Sequence, residues 1–142
     1  MKLRKISLKA RLILYDRGKI LLLKQTKPNG GNYTLVGGTV DKHETARQGV
    51  IRESFEEAGL IINKKDLKLV HVLQKIQGDE QRLTLYFKAY KWEGTLESKE
   101  RKKFKKVEWF DLDELPPNMT ATVKHVLTAY RHGILYSELE QP

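Results

Sequence analysis

Near the start of the chain apolar and polar residues alternate. Ile6, Leu8, Ala10, Leu12 and Leu14 fall on one side of a period of two, and Ser7, Lys9 and Arg11 on the other. An extended chain points successive side chains to opposite faces, so this pattern predicts a strand with one buried face. Asp16-Arg17-Gly18 predicts a hairpin turn into a second strand, Lys19 to Gln25. The stretch from Thr26 to Asn32, TKPNGGN, breaks the regularity before a short extended run from Tyr33 to Val36. Further on, LKLVHVLQKIQ and RLTLYFKAYKW predict two strands around the turn Gly78-Asp79-Glu80, with Leu83, Leu85, Phe87 and Ala89 lining a buried face. KVEWFD, Lys106 to Asp111, predicts another short strand, and DLDELPPN ends it with turn chemistry. Met119 to His132 predicts a final helix stopped by Gly133.

Between these strands the period changes. From Glu44 to Ala58 there is no proline and helix formers dominate, which predicts a helix ending at Gly59. At ~100° per residue, Glu57 lies about 40° from Glu53, and Glu56 about 60° to its other side. The three acids thus share a face, with Ile51, Phe55 and Ala58 expected on the opposite, anchoring one. Like charges at these spacings repel by a few tenths of a kcal/mol per pair, roughly, on an isolated helix. A solvated acidic face is the ordinary meaning of such a cluster. A divalent cation held by it would reverse the sign of the interaction, and magnesium suits carboxylate oxygens shared with substrate phosphates.

Composition narrows the field. The 142 residues suffice for one domain, 1–142, with a real core. The chain carries 27 Lys and Arg against 18 Asp and Glu, a net charge of +9, which favours anionic ligands. The basic residues concentrate at Lys99 to Lys106, KERKKFKK. With no cysteine, disulfides, thiolate metal sites and cysteine nucleophiles are excluded. No apolar run approaches the ~20 residues that span a bilayer, and the alternating N-terminus lacks a signal peptide's apolar block. A cytoplasmic protein with no membrane partner is the expectation. His43, His71, His125 and His132 show no paired ligand spacing. Tyr33 at a strand start reads as packing before it reads as a base-stacking ring.

Gly38, Glu44, Arg52-Glu53, Glu56-Glu57, Gly59 and Leu60 stand at fixed intervals, and the approach to them is YTLVGG. This frame resembles the Nudix box, the signature of hydrolases acting on a nucleoside diphosphate linked to another group. The ending VEWFDLDELP is also similar to that family. Three positions depart from the usual pattern: Val36 replaces a common proline, His43 a common glycine, and Ser54 an expected apolar residue. Gly49 lies on the acid face one turn before Glu53, where a small residue leaves room for a phosphate chain or is simply tolerated.

The resemblance implies a Nudix-type α/β/α sandwich with a mixed sheet between helices. It implies Mg2+, with Mn2+ as an alternative, held by Glu53, Glu56 and Glu57. Glu53 would also act as general base or orient the attacking water, Arg52 would hold the Glu53 rotamer, and Gly37 and Gly38 would let the backbone approach the substrate. Glu44 would serve as a helix-start acid or stand behind the ligands. The loop Trp92 to Glu100 resembles one that delivers a further carboxylate in nucleoside triphosphate enzymes of the family, with Glu100 the closest match and Glu97 the runner-up. The expected reaction is magnesium-dependent cleavage of a pyrophosphate linkage in a nucleoside triphosphate or related small nucleotide. The alternatives are an RNA 5′-pyrophosphohydrolase or decapping enzyme, against which no aromatic-interleaved basic surface is found, and a non-catalytic nucleotide sensor. The basic block at Lys99 to Lys106 is expected to guide phosphates, with Phe104 anchored and the lysines outward.

Overall fold

The alternation at the start of the chain becomes β1, Lys5–Asp16, in a computed structural model that describes residues 5–142. Residues 1–4 of the expected domain lie outside the described residues. Arg17, at φ 52°, and Gly18, at φ 82°, close the tight hairpin into β2, Lys19–Gln25. β3, Tyr33–Thr34, and β4, Val36–Thr39, lead into α1, Ala46–Ala58. β5, Leu67–Gln77, β6, Glu80–Ala89, and β7, Phe104–Asp111, precede α2, Ala121–Arg131, and β8, Tyr136–Gln141.

The strands run β3-β2-β1-β6-β5-β8, with β4 paired to β1 and β7 to β2. β1 and β6 are parallel, as are β5 and β8, while β5 and β6 are antiparallel, so the sheet is mixed. One face packs Ala10, Leu12 and Leu14 of β1 against Val50 and Ala58 of α1. The other packs Ile13, Leu73 and Tyr86 against Val123, Val126 and Leu127 of α2. The result is the expected α/β/α sandwich. No helix among the described residues is long and apolar enough to cross a membrane.

Four details differ from the sequence expectation. Ile6 is 74% exposed, and Leu8 and Leu83 are also exposed, because the core over that face begins only at Ala10. The second long strand spans Glu80–Ala89 and stops short of Trp92, where Ile61 and Glu93 form a separate bridge. α1 begins two residues after Glu44, since Thr45 caps it: the Thr45 hydroxyl accepts from Gln48 N–H while Gln48 reaches back to Thr45 N–H. β8 has no counterpart in the sequence reading.

Candidate active site

α1 buries Ala58 and packs Ile51 against the core, as its apolar residues suggest, but leaves Phe55 outside. Phe55 is 55% exposed, whereas Val50, Ser54, Glu57 and Ala58 are buried. Two polar residues can occupy that stripe because each has an internal partner. Ser54 Oγ donates to Val50 O at 2.6 Å, which accounts for a serine at an apolar position. Glu57 Oε1 accepts from Gly37 N–H at 2.8 Å, which ties the helix to β4. That carboxyl is only 4% exposed, and desolvation first, then the neighbouring Glu53 and Glu100 charges, push it up to about 8. The Gly37 N–H and Arg11 act in the opposite direction.

Arg52 answers the crowding of the acids. Its guanidinium meets Glu44 Oε1 at 2.8 Å, Glu53 Oε1 at 3.1 Å and Glu56 Oε2 at 3.1 Å, with Asp41 at 3.4 Å. It also donates to Thr39 O. The hydrogen bond from Arg52 is the main cause holding the Glu44 carboxyl below its ordinary value. Glu44 accepts from Asp41 N–H at 2.7 Å as well, so it fastens the loop before the helix and is not the helix cap. The expected Arg52–Glu53 contact is present, within a larger network. A β-carbon on Gly49 would lie 3.0 Å from Glu44 Oε1 and 3.4 Å from Val40 Cγ2, so that space belongs to Glu44 and leaves no room for a phosphate chain.

The loop before β7 reaches the same place. Backbone bonds from Lys99 N to Glu57 O, 3.0 Å, and Glu97 N to Ala58 O, 3.2 Å, lay it along the end of α1. Gly59, at φ 72°, closes the helix, and a β-carbon there would come within 2.5 Å of Thr95 O. Glu100 Oε2 is buried without a hydrogen-bond partner, with Lys103 Nζ 3.7 Å away. Glu97 instead faces solvent and pairs with Lys99 at 3.0 Å. Lys106 pairs with Glu108 at 2.7 Å, so the basic block is partly neutralised, with Phe104 packed against the core as expected. Tyr33 is core: its hydroxyl donates to Glu108 and its ring meets Phe110 edge-on.

Gly37 and Gly38 hold the acids at the sheet. Gly37 has φ 137°, and a β-carbon on it would fall 2.3 Å from Ala10 O; one on Gly38 would meet Glu53 Oε1 at 2.9 Å. Gly37→Ala is therefore expected to destabilise the protein by about 3 kcal/mol or more, through strain plus collision with the β1 backbone. A thermal melt followed by circular dichroism checks this; an unchanged midpoint contradicts it.

Among the described residues no three acidic or histidine side chains already converge as a coordination site. The donor chemistry nevertheless fits a hard divalent cation. Glu57 is buried beside like charges, Glu100 Oε2 lacks a partner, and Glu53 sits against Gly38. Glu56 is turned outward onto Arg52.

The NUDIX domain model matches residues 7–130. A MutT NUDIX hydrolase crystal structure from Burkholderia pseudomallei superimposes with a TM-score of 0.79 at 27% identity, covering 87% of this chain and 97% of that one. The NAD-capped RNA hydrolase NudC of Haemophilus influenzae is 33% identical over 121 residues, 80% of this chain and 44% of that protein. The m7GpppN-mRNA hydrolase dcap-2 of Caenorhabditis elegans is 28% identical over 117 residues, 80% of this chain and 14% of that protein. The chain thus spans less than half the length of these two curated relatives. Family model, fold and the carboxylate frame on α1 agree, and the chain belongs to the Nudix hydrolase family.

Proposed function

We propose that this protein is a divalent-cation-dependent pyrophosphohydrolase, using Mg2+ or Mn2+, that cleaves the phosphoric anhydride of a nucleoside diphosphate derivative. Its preferred substrate on this reading is a nucleoside triphosphate or similar small nucleotide, handled by one domain spanning 1–142 in the cytoplasm. The observation that carries the proposal is the placement of Glu57 and Glu53 against Gly37 and Gly38, with Arg52 holding Glu53 and Glu56.

Glu53, Glu56, Glu57 and Glu100 would hold the cation, which when bound neutralises pyrophosphate oxygens and lowers the pKa of water. Glu53 takes the proton of the attacking water or orients it, and Arg52 fixes the Glu53 carboxylate for that task. Gly37 and Gly38 keep the β4 backbone free of side chains where the phosphates approach. No covalent intermediate is required. A panel of nucleoside triphosphates, dinucleotides and nucleotide sugars, assayed with Mg2+ and with chelator while released phosphate and pyrophosphate are separated, tests the proposal. Binding without turnover across the panel would favour the sensor reading.

The names of the curated relatives favour a second reading, in which the scissile linkage lies at an RNA 5′ end. The exposed lysines of the block before β7 separate the two. Replacing Lys102, Lys103 and Lys105 with Gln is expected to raise the nucleotide KM by about two- to threefold, since exposed charges are screened within about 10 Å. For 5′-triphosphorylated RNA, log affinity falls with log salt by roughly 0.7 per phosphate neutralised. A steep slope that collapses in the variant, with nucleotide kinetics unchanged, would promote the RNA reading.

A further inference from the structure

The α2-side face of the sheet carries a group of cations that the proposed chemistry leaves unused. The register aligns Ser7 with Arg82, Lys9 with Thr84 and Arg11 with Tyr86 across β1 and β6, and Lys75 with Arg82 across β5 and β6. Side chains alternate along strands, so Lys9, Arg11, Lys75 and Arg82 emerge on one face. That face also contains the buried Thr84 and Tyr86, and α2 packs on it.

The partners of three of these cations are neutral. Lys9 Nζ donates to Thr39 Oγ1 at 3.1 Å, Arg11 Nη1 to Leu35 O at 3.0 Å, and Lys75 Nζ to Thr122 Oγ1, in the first turn of α2, at 3.0 Å. Among the described residues, Arg82 alone of the four has an acid, Glu80 at 3.1 Å. Lys75 is 8% exposed, and a lysine so enclosed is ordinarily paired. Burial first, then Arg82 and Arg11, hold both Lys9 and Lys75 below the usual lysine range, although Glu80 acts in the opposite direction on both and Glu53 on Lys9.

The group adjoins the candidate active site. Arg11 and Lys9 pair in register with Gly37 and Thr39 of β4, and Gly37 N–H holds Glu57. A substrate with its anhydride at Gly37 and Gly38 therefore has this face beside it.

We propose that Lys9, Arg11, Lys75 and Arg82 form a subsite for a second, non-scissile phosphate, so that the substrate is a small nucleotide diphosphate bearing an additional phosphomonoester. This rests on the hydrolase reading and narrows it. A compact dianion suits the group better than a polynucleotide chain does, because Lys75, which closes the group on β5, is 8% exposed and bonded to Thr122 in the first turn of α2. Charge-assisted bonds from guanidinium and ammonium groups to phosphate are the strong class of hydrogen bond.

Binding without turnover tests the subsite independently of hydrolysis. In chelator, adenosine 3′,5′-bisphosphate is expected to bind about tenfold more tightly than AMP, the scale of one or two charge-assisted contacts. Lys75→Gln and Lys9→Gln should each remove most of that difference, and Lys75→Arg should keep it; ligand-free melts confirm that the variants fold. With Mg2+, kcat/KM for coenzyme A over dephospho-coenzyme A, and for NADPH over NADH, should show the same preference and the same loss. Equal binding of bisphosphate and monophosphate, or a preference that survives both Gln variants, overturns the subsite whatever the turnover. So does competition by a 5′-triphosphorylated dinucleotide that bisphosphates cannot match, since the cations would then read a phosphodiester. Retained binding preference with no hydrolysis of any panel substrate supports the subsite and sinks the hydrolase reading alone.

Discussion

Glu57→Gln is expected to lower metal-dependent turnover by about a thousandfold, the upper scale for losing one group that stabilises transition-state charge, while making the metal-free protein more stable. The two effects have one origin. Glu57 is buried against Gly37 N–H with Glu53 and Glu100 nearby, and desolvation raises its carboxyl to about 8. Folding without metal therefore favours the protonated acid, whereas a cation requires the carboxylate. The stabilisation is fully present below the ordinary glutamate value of 4.5 and is lost as pH rises through about 8. Wild-type protein in chelator should accordingly lose on the order of 5 kcal/mol between these limits from this group. Glutamine keeps the shape and an acceptor oxygen for Gly37 N–H but cannot ionise, so that part of the pH slope should vanish. Melting points in chelator across pH, together with turnover in Mg2+, check both effects. Near wild-type turnover in Glu57→Gln would contradict the metal-site reading.

How far such a site can be read from sequence depends on which forces set each part. Local chemistry was legible: Gly59 ends α1 in a left-handed conformation, and the Asp16-Arg17-Gly18 turn joins β1 to β2. The frame of acids and glycines from Gly38 to Leu60 identified the family because its spacing is fixed by one helix and one loop. The buried stripe of α1 was legible only in part, at Ile51 and Ala58. Its orientation follows from the Glu57–Gly37 bond and the Ser54 back-bond, which let polar residues go inside and put Phe55 out. β8 was missed for a related reason. Tyr136, Glu138 and Glu140 are exposed, so no hydrophobic period marks the strand, and its existence depends on parallel pairing with β5 some sixty positions earlier. The cations on the α2 side are likewise a product of register: Lys9 and Arg11 looked like the solvent side of a strand until β6 and β5 aligned Arg82 and Lys75 beside them.

The two candidate loop carboxylates differ in how the end of α1 places them. Glu100→Gln is expected to lower turnover by about a hundredfold, within the range for one lost group at a charged transition state, and Glu97→Gln by less than about threefold, as for an exposed ion pair. Both belong to a segment fixed to the end of α1 through Glu57 O and Ala58 O, so their positions follow from the helix. Glu97 turns outward to Lys99, and its loss removes only a solvated contact. Glu100 turns inward: its chain bends back through Lys103 N and Phe104 N, both donating to Glu100 O, and Ser98 Oγ locks the turn by donating to Phe104 O. Its Oε2 is then buried without a hydrogen bond, and its charge is felt at Glu57. An unsatisfied buried carboxylate oxygen costs about 1–3 kcal/mol, a cost that a shared cation would offset. The same logic predicts that Glu100→Gln leaves the metal-free melting point unchanged or raises it, while weakening Mg2+ activation as read from the metal concentration at half-maximal rate. If Glu97→Gln produces the hundredfold loss and Glu100→Gln less than about threefold, the inward carboxylate is a structural acid and Glu97 takes its place at the metal.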